Sequence, residues 1–134
     1  DAFGVGTKVG VSADAPFVDV VYKMVRFKGR DVRKLSPGKV TLAGEKQVFR
    51  KSDQNGRYSE DIIGQRDEII AEGKPLLEKV MGNGKILRSH PQLQMLQEKF
   101  KENFAALDDR YKSIQDHNAY PVKLSRRIQD LQKR

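Results

Sequence analysis

Cysteine and tryptophan are absent, and only two histidines occur in 134 residues. Without cysteine the chain forms no disulfide, runs no thiolate chemistry and builds no cysteine metal site, a usage that fits a cytoplasmic protein. No apolar run approaches the roughly 18 to 20 residues that a membrane span needs. The opening Asp1-Ala2-Phe3-Gly4 lacks a basic stretch followed by an apolar one, so it does not read as a secretory signal. His90 and His117 have no second ligand at metal-binding spacing, which argues against zinc. Ser12, Ser36 and Ser125 have no nearby histidine to activate them, so no hydrolytic triad is indicated. Asp108 and Asp109, beside Arg110, read as solvated acids. Internal repeats and low-complexity tracts are also lacking.

Positive charge is what the chain has in excess. Its net charge is +8. Residues 23 to 51 hold ten Lys or Arg against Asp31 and Glu45, so this window carries the whole excess and the remainder sums to zero. A concentrated basic surface attracts anions such as phosphates, nucleotides, nucleic acid or an acidic partner. The plainer reading is a solvated strand surface whose bases pair with acids elsewhere.

The pattern divides the chain into three zones. Residues 1–16 form a glycine-rich entry that resembles the exit of a barrel strand followed by a phosphate loop. Residues 17–88 read as a β-rich segment. Phe17 to Phe27 is rich in Val, Tyr and Phe, which suit a pleated surface. Lys28-Gly29 and Ser36-Pro37-Gly38 are turn signals. Lys39–Leu42 and Lys46–Lys51 are strand candidates, and Asp53-Gln54-Asn55-Gly56 predicts a hairpin returning over 57–63. A last pair, 74–81 with 85–88, flanks Gly82-Asn83-Gly84, while 64–73 shows no clean period. Residues 89–134 read as a helical segment. Ser89 caps and Pro91 occupies the first turn. Leu93, Leu96, Phe100, Phe104 and Leu107 make one apolar stripe, expected to pack into a core. Pro121 breaks the helix, and a second one from Ser125 carries Ile128 and Leu131. Strands followed by helices, without βαβ alternation, indicate an α+β fold.

One local feature points to chemistry. In Gly4-Val5-Gly6-Thr7-Lys8 the glycines let backbone amides converge on an anion, Thr7 adds a hydroxyl donor and Lys8 a charge. A phosphate monoester suits such a loop, and so does an ordinary tight turn. The Gly-x4-Gly-Lys spacing of a P-loop is absent, and Val9 stands where a dinucleotide fingerprint needs its third glycine.

Four segments in register carry a resemblance. They are Asp1-Ala2-Phe3-Gly4-Val5-Gly6-Thr7-Lys8; Asp19 to Val25 with Gly29-Arg30; Arg33-Lys34-Leu35-Ser36 with Gly38 to Leu42 and Lys46 to Arg50; and Tyr120-Pro121-Val122-Lys123-Leu124-Ser125. Together they resemble the C-terminal portion of nicotinate phosphoribosyltransferases across most of the chain, residues 52–88 matching least. The resemblance implies a type II phosphoribosyltransferase fold, an incomplete α/β barrel plus a β-rich domain. It also implies a reaction joining nicotinate to 5-phosphoribosyl 1-pyrophosphate to give nicotinate mononucleotide in NAD biosynthesis, with ATP and Mg2+ serving the parent enzyme. Gly4, Gly6 and Thr7 would then bind the 5′-phosphate, and no catalytic or metal residue is nominated. Thr7 favours nicotinate, because nicotinamide-using relatives are more glycine-rich there. The stretch Ala15 to Tyr22 departs from the glycine-rich version found in some relatives. The remaining implications are that substrates are held with the upstream part, that the parent is a homo-oligomer off the membrane, and that this stretch is inactive alone.

Two other classes compete. A basic nucleic-acid-binding module would use the 23–51 window, yet Tyr22, Phe27 and Phe49 are spaced too irregularly for an interleaved aromatic platform. A protein-interaction domain would use the Phe100/Phe104 helix, provided that its apolar stripe is exposed.

Overall fold

The computed structural model describes residue 6, residues 22–113, residue 115 and residues 118–133. Its elements are β1 (Arg26–Phe27), β2 (Arg30–Asp31), β3 (Lys46–Ser52), β4 (Tyr58–Gln65), β5 (Lys74–Pro75), β6 (Met81–Gly82), β7 (Lys85–Ile86), α1 (Leu93–Ala106), a 3-10 turn (Asp109–Tyr111), β8 (Val122–Leu124) and α2 (Arg126–Leu131). A four-stranded sheet in the order β5-β3-β4-β8 is flanked by the ribbons β1-β2 and β6-β7. The expected α+β class holds.

The central hairpin forms where expected. Asp53 N–H donates to the Arg57 carbonyl at 2.8 Å, and its carboxylate accepts from the amides of Asn55 and Arg57, both at 2.9 Å. The expected pair of positive φ angles at Asn-Gly is not formed: only Gly56 takes one, at 77°. The Asp53 carboxylate fixes the turn instead, and Ser59 is bulged out of β4 where the pairing shifts at the Lys51–Ser52 step. Lys28-Gly29 and Asn83-Gly84 do carry paired positive φ angles, as tight two-residue hairpins require.

Several boundaries differ from the sequence expectation, each for a local reason. Lys39–Leu42 is not a strand. The Lys46 ammonium donates to the carbonyls of Leu42 and Gly44, at 2.7 and 2.5 Å, so these groups are satisfied without a ladder. Burial lowers the pKa of that ammonium below the usual lysine value, and the nearby Asp31 charge partly offsets the effect. Of 17–27, the described part forms a strand only at Arg26–Phe27. The return strand runs on to Gln65, and Lys74–Pro75 pairs with β3 rather than with 85–88. The Gln47 side chain extends that edge, bonding both the amide and the carbonyl of Leu77 at 2.8 Å. The long helix begins at Leu93 rather than at Ser89. Gln92 occupies its N-cap without any side-chain bond, since no Ser, Thr, Asp or Asn stands there.

The largest topological correction lies near Pro121. The break between helices is a strand, β8, lying parallel to β4 with Asp61 opposite Val122 and Ile63 opposite Leu124. The C-terminal segment therefore adds β8 to the sheet formed by β3, β4 and β5. Parallel pairing requires a long crossover, which α1 and its flanks supply. The Ser125 amide then donates to the Ile63 carbonyl at 2.9 Å. Its hydroxyl caps α2 by accepting from Ile128 N–H at 3.2 Å, and donates to Glu68 at 2.7 Å.

Among the described residues the core is small: Ala43, Phe49 and the fully buried Ile128. Gly64 and Gly73 border Phe49 so closely that a Cβ on either would lie 2.9 Å from its side chain. The α1 stripe is not core. Leu93 is 72% exposed and Phe100 65%, and α1 contains no buried residue.

Candidate functional site

Of the proposed phosphate-loop residues, Gly6 is described and exposed, with nothing within 4 Å of a Cβ built on it. Gly4 and Thr7 lie outside the described residues, as does His117. His90 is exposed. The basic window is partly paired, as the solvated-surface reading expects: Arg26 approaches Glu45 at 3.9 Å, Lys51 approaches Glu60 at 3.9 Å, and Arg50 binds Asp61. Glu60 also accepts from Lys123 at 2.5 Å, and this bond holds its carboxyl below the usual carboxylate range.

The most developed polar constellation lies where β3, β4, α1 and the approach to β8 meet. Hairpin register sets Arg50 opposite Asp61. The guanidinium grips the carboxylate with two parallel bonds, Nε to Oδ1 at 2.9 Å and Nη2 to Oδ2 at 2.8 Å. This bidentate match raises the Arg50 pKa further, although burial opposes it. The Tyr120 hydroxyl donates to Asp61 at 3.3 Å. The guanidinium lies over the Tyr58 ring at 4.5 Å and near that of Tyr120 at 6.0 Å, while Tyr111 meets Tyr120 edge-on at 5.3 Å. The Tyr58 hydroxyl reaches α1, donating to Asn103 at 2.6 Å. Burial, followed by the Asp61 charge, pushes the Tyr120 phenol up to about 12. It stays protonated at neutral pH and serves as a hydrogen-bond donor.

Two hollows open at the surface. One, of about 240 Å³, lies between Arg50, Tyr58, Tyr120 and the ring edges of Phe100 and Phe104. Those two rings stack at 5.7 Å, and the Lys112 ammonium lies 5.2 Å from the Phe104 ring. The other, of about 510 Å³, is charged. Glu45 accepts from Arg66 at 3.2 Å, and Arg127 faces Asp67 at 3.3 Å across this basin. Its guanidiniums and carboxylates neutralise one another, so it presents no net field to an anion.

The Arg50 cluster was not nominated from the sequence. The Asp53–Gly56 turn signals the hairpin, but the bulge at Ser59 sets the register that pairs Arg50 with Asp61. Tyr120 gave no such signal, since its approach depends on the return of β8. Among the described residues no group of three His, Asp or Glu side chains could hold a metal ion. No helix among them is long and apolar enough to cross a membrane.

Residues 71–132 match the family model of the nicotinate phosphoribosyltransferase C-terminal domain. The chain is 40% identical over 130 residues to nicotinate phosphoribosyltransferase pncB2 of Mycobacterium tuberculosis, covering 96% of this chain and 28% of that protein. It is 30% identical over 154 residues to nicotinate phosphoribosyltransferase of Bacillus subtilis, covering 93% of this chain and 31% of the relative. The crystal structure of human nicotinic acid phosphoribosyltransferase superposes with a TM-score of 0.73 at 21% identity, over 84% of this chain and 26% of that one. That likeness shows the fold. The chain spans under a third of the length of these relatives.

Proposed function

This chain belongs to the nicotinate phosphoribosyltransferase family as a C-terminal portion, and on that premise we propose that its parent protein joins nicotinate to 5-phosphoribosyl 1-pyrophosphate in NAD biosynthesis. The observation that carries the proposal is the 40% identity sustained over 96% of the chain. In the reaction the nicotinate ring nitrogen forms a bond to the ribosyl anomeric carbon. The bond from that carbon to the pyrophosphate oxygen breaks, and the electron pair leaves with pyrophosphate. The products are nicotinate mononucleotide and pyrophosphate, and ATP hydrolysis assists the overall conversion.

The contribution of this chain is binding and positioning. Gly4, Gly6 and Thr7 hold the 5′-phosphate through converging amides and a hydroxyl, anchoring the end of the ribosyl group remote from the reacting carbon. Such remote binding fixes orientation and lowers the entropic part of the barrier. Mg2+ and ATP are proposed to be held by the rest of the enzyme. Catalytic groups are assigned there too, as are most contacts to nicotinate. The parent is proposed to be a cytoplasmic homo-oligomer.

The test uses the whole enzyme, incubated with nicotinate, phosphoribosyl pyrophosphate, Mg2+ and ATP, with nicotinate mononucleotide measured by mass. Gly6→Val, in enzyme whose circular dichroism matches the wild type, is expected to lose product formation mainly through a raised KM for phosphoribosyl pyrophosphate. An unchanged KM would remove Gly6 from the phosphate site. Absence of product from the folded wild type with nicotinate would refute the proposed reaction.

A further inference from the structure

Apolar surface is left over. Among the described residues three hydrophobics are buried, Ala43, Phe49 and Ile128, while eighteen large ones are exposed. Large apolar side chains gathered on one face of a helix are the pattern of a face that packs against another body. The most ordered patch is on α1, where Leu93, Leu96, Phe100 and Phe104 share one face and are all exposed. At 1.5 Å per residue this row is about 16 Å long. It ends beside the 240 Å³ groove under Arg50, Tyr58 and Tyr120.

The helix itself lacks local support. Its N-cap makes no side-chain bond, its first turn has no acid and its last turn no base. A 14-residue helix without such devices is marginal in water, and helices of this kind are held by packing of their apolar face. Among the described residues α1 is tied by the bond from Tyr58 to Asn103 and by the Lys112 ammonium over the Phe104 ring.

We propose that the Leu93–Phe104 row and the adjoining groove are the face by which this portion docks onto the remainder of its own enzyme, which inserts an apolar side chain beneath Arg50. The inference rests on the family reading above. This chain accounts for 28% and 31% of two curated relatives and 26% of the human enzyme, so an enzyme of this family has more than twice this chain's mass left to cover the row. Size selects that occupant over a second copy. A row about 16 Å long on a helix about 10 Å wide offers roughly 160 Å². A stable contact between free proteins buries about 800 Å² per partner. A tethered body meets the face at an effective concentration near millimolar, so a small patch suffices.

The experiment is hydrogen exchange by mass spectrometry on the whole enzyme, following peptides within residues 93–106 at two protein concentrations a hundredfold apart. Docking on the same polypeptide predicts amides slowed by about 100-fold or more relative to unstructured exchange, equally at both concentrations. Phe100→Ser should remove most of that protection, whereas Glu102→Gln, on the opposite side of the helix, should keep it. Fast exchange of α1 in the wild type would overturn the proposal. So would protection that disappears on dilution, which would indicate a second copy. Product formation is measured on the same sample. Product with an unprotected α1 sinks the docking face alone, and protection without product sinks the proposed reaction alone.

Discussion

Asp61→Asn tests the Arg50 cluster. The substitution keeps the size of the side chain and removes its charge. Its Oδ1 can still accept one bond, but Nδ2 now turns a donor toward a guanidinium that only donates. Two bonds between ionised partners, at 2.9 and 2.8 Å, become at most one bond from the charged guanidinium to a neutral oxygen. Bonds to charged groups contribute about 1.5–3 kcal/mol each and neutral ones about 1 kcal/mol. Breaking a fully buried pair costs about 3–5 kcal/mol. The Arg50 side chain keeps 27% of its surface exposed and Asp61 keeps 11%, so water recovers part of the loss. The expected destabilisation is therefore about 2–3 kcal/mol, the lower part of the buried-pair range. For a cooperative unit of this size, with about 3–5 °C lost per kcal/mol, melting should fall by roughly 6–15 °C. Thermal unfolding followed by circular dichroism measures it, with a double-mutant cycle against Arg50→Gln. A melting point within about 2 °C of wild type, or a coupling energy near zero, would show that the pair contributes no more than an exposed surface ion pair does.

Other predictions concern the same framework. Ile128→Ala empties a fully buried large side chain, and should cost about 2–4 kcal/mol in denaturant unfolding. Gly44→Ala places a Cβ at φ 80°, 2.7 Å from the Leu131 Cδ2 methyl, which can turn aside, so a loss of about 1–2 kcal/mol from the left-handed backbone is expected in denaturant unfolding. Ser125→Ala removes both the α2 cap and the bond to Glu68, and should cost about 1–2 kcal/mol by thermal melting. Tyr120 titrates near pH 12 in the fold, above its unfolded value of 10. Its stabilising contribution is therefore complete below pH 10 and lost as pH rises toward 12, which spectrophotometric phenol titration can follow. In Asp61→Asn the Coulombic part of that shift disappears, so the phenol should ionise at lower pH than in the wild type.

Local features were legible wherever a short-range cause dominates. The Asp53–Gly56 hairpin, the Asn83-Gly84 ribbon and the Ser125-capped helix lie where turn and cap chemistry place them, since each depends on residues within a few positions. The anion loop was legible only as residue types, Gly4, Gly6 and Thr7. Amides converging on a phosphate are a property of geometry, and no spacing rule separates them from an ordinary turn.

The sequence by itself determined the α+β class, the position of the central hairpin, the concentration of charge in residues 23–51, and the resemblance to the family through four segments in order. These follow from side-chain chemistry acting over short separations. Tertiary structure decided the rest. The segment around Pro121 became a strand because β4 offered it an unpaired edge, a partner more than 50 positions away in the chain. That return brought Tyr120 onto Asp61 and closed the Arg50 cluster. The α1 stripe has the periodicity of a core helix, yet it is exposed within this chain. Periodicity specifies which residues share a face, and only the folded arrangement specifies what, if anything, lies against it.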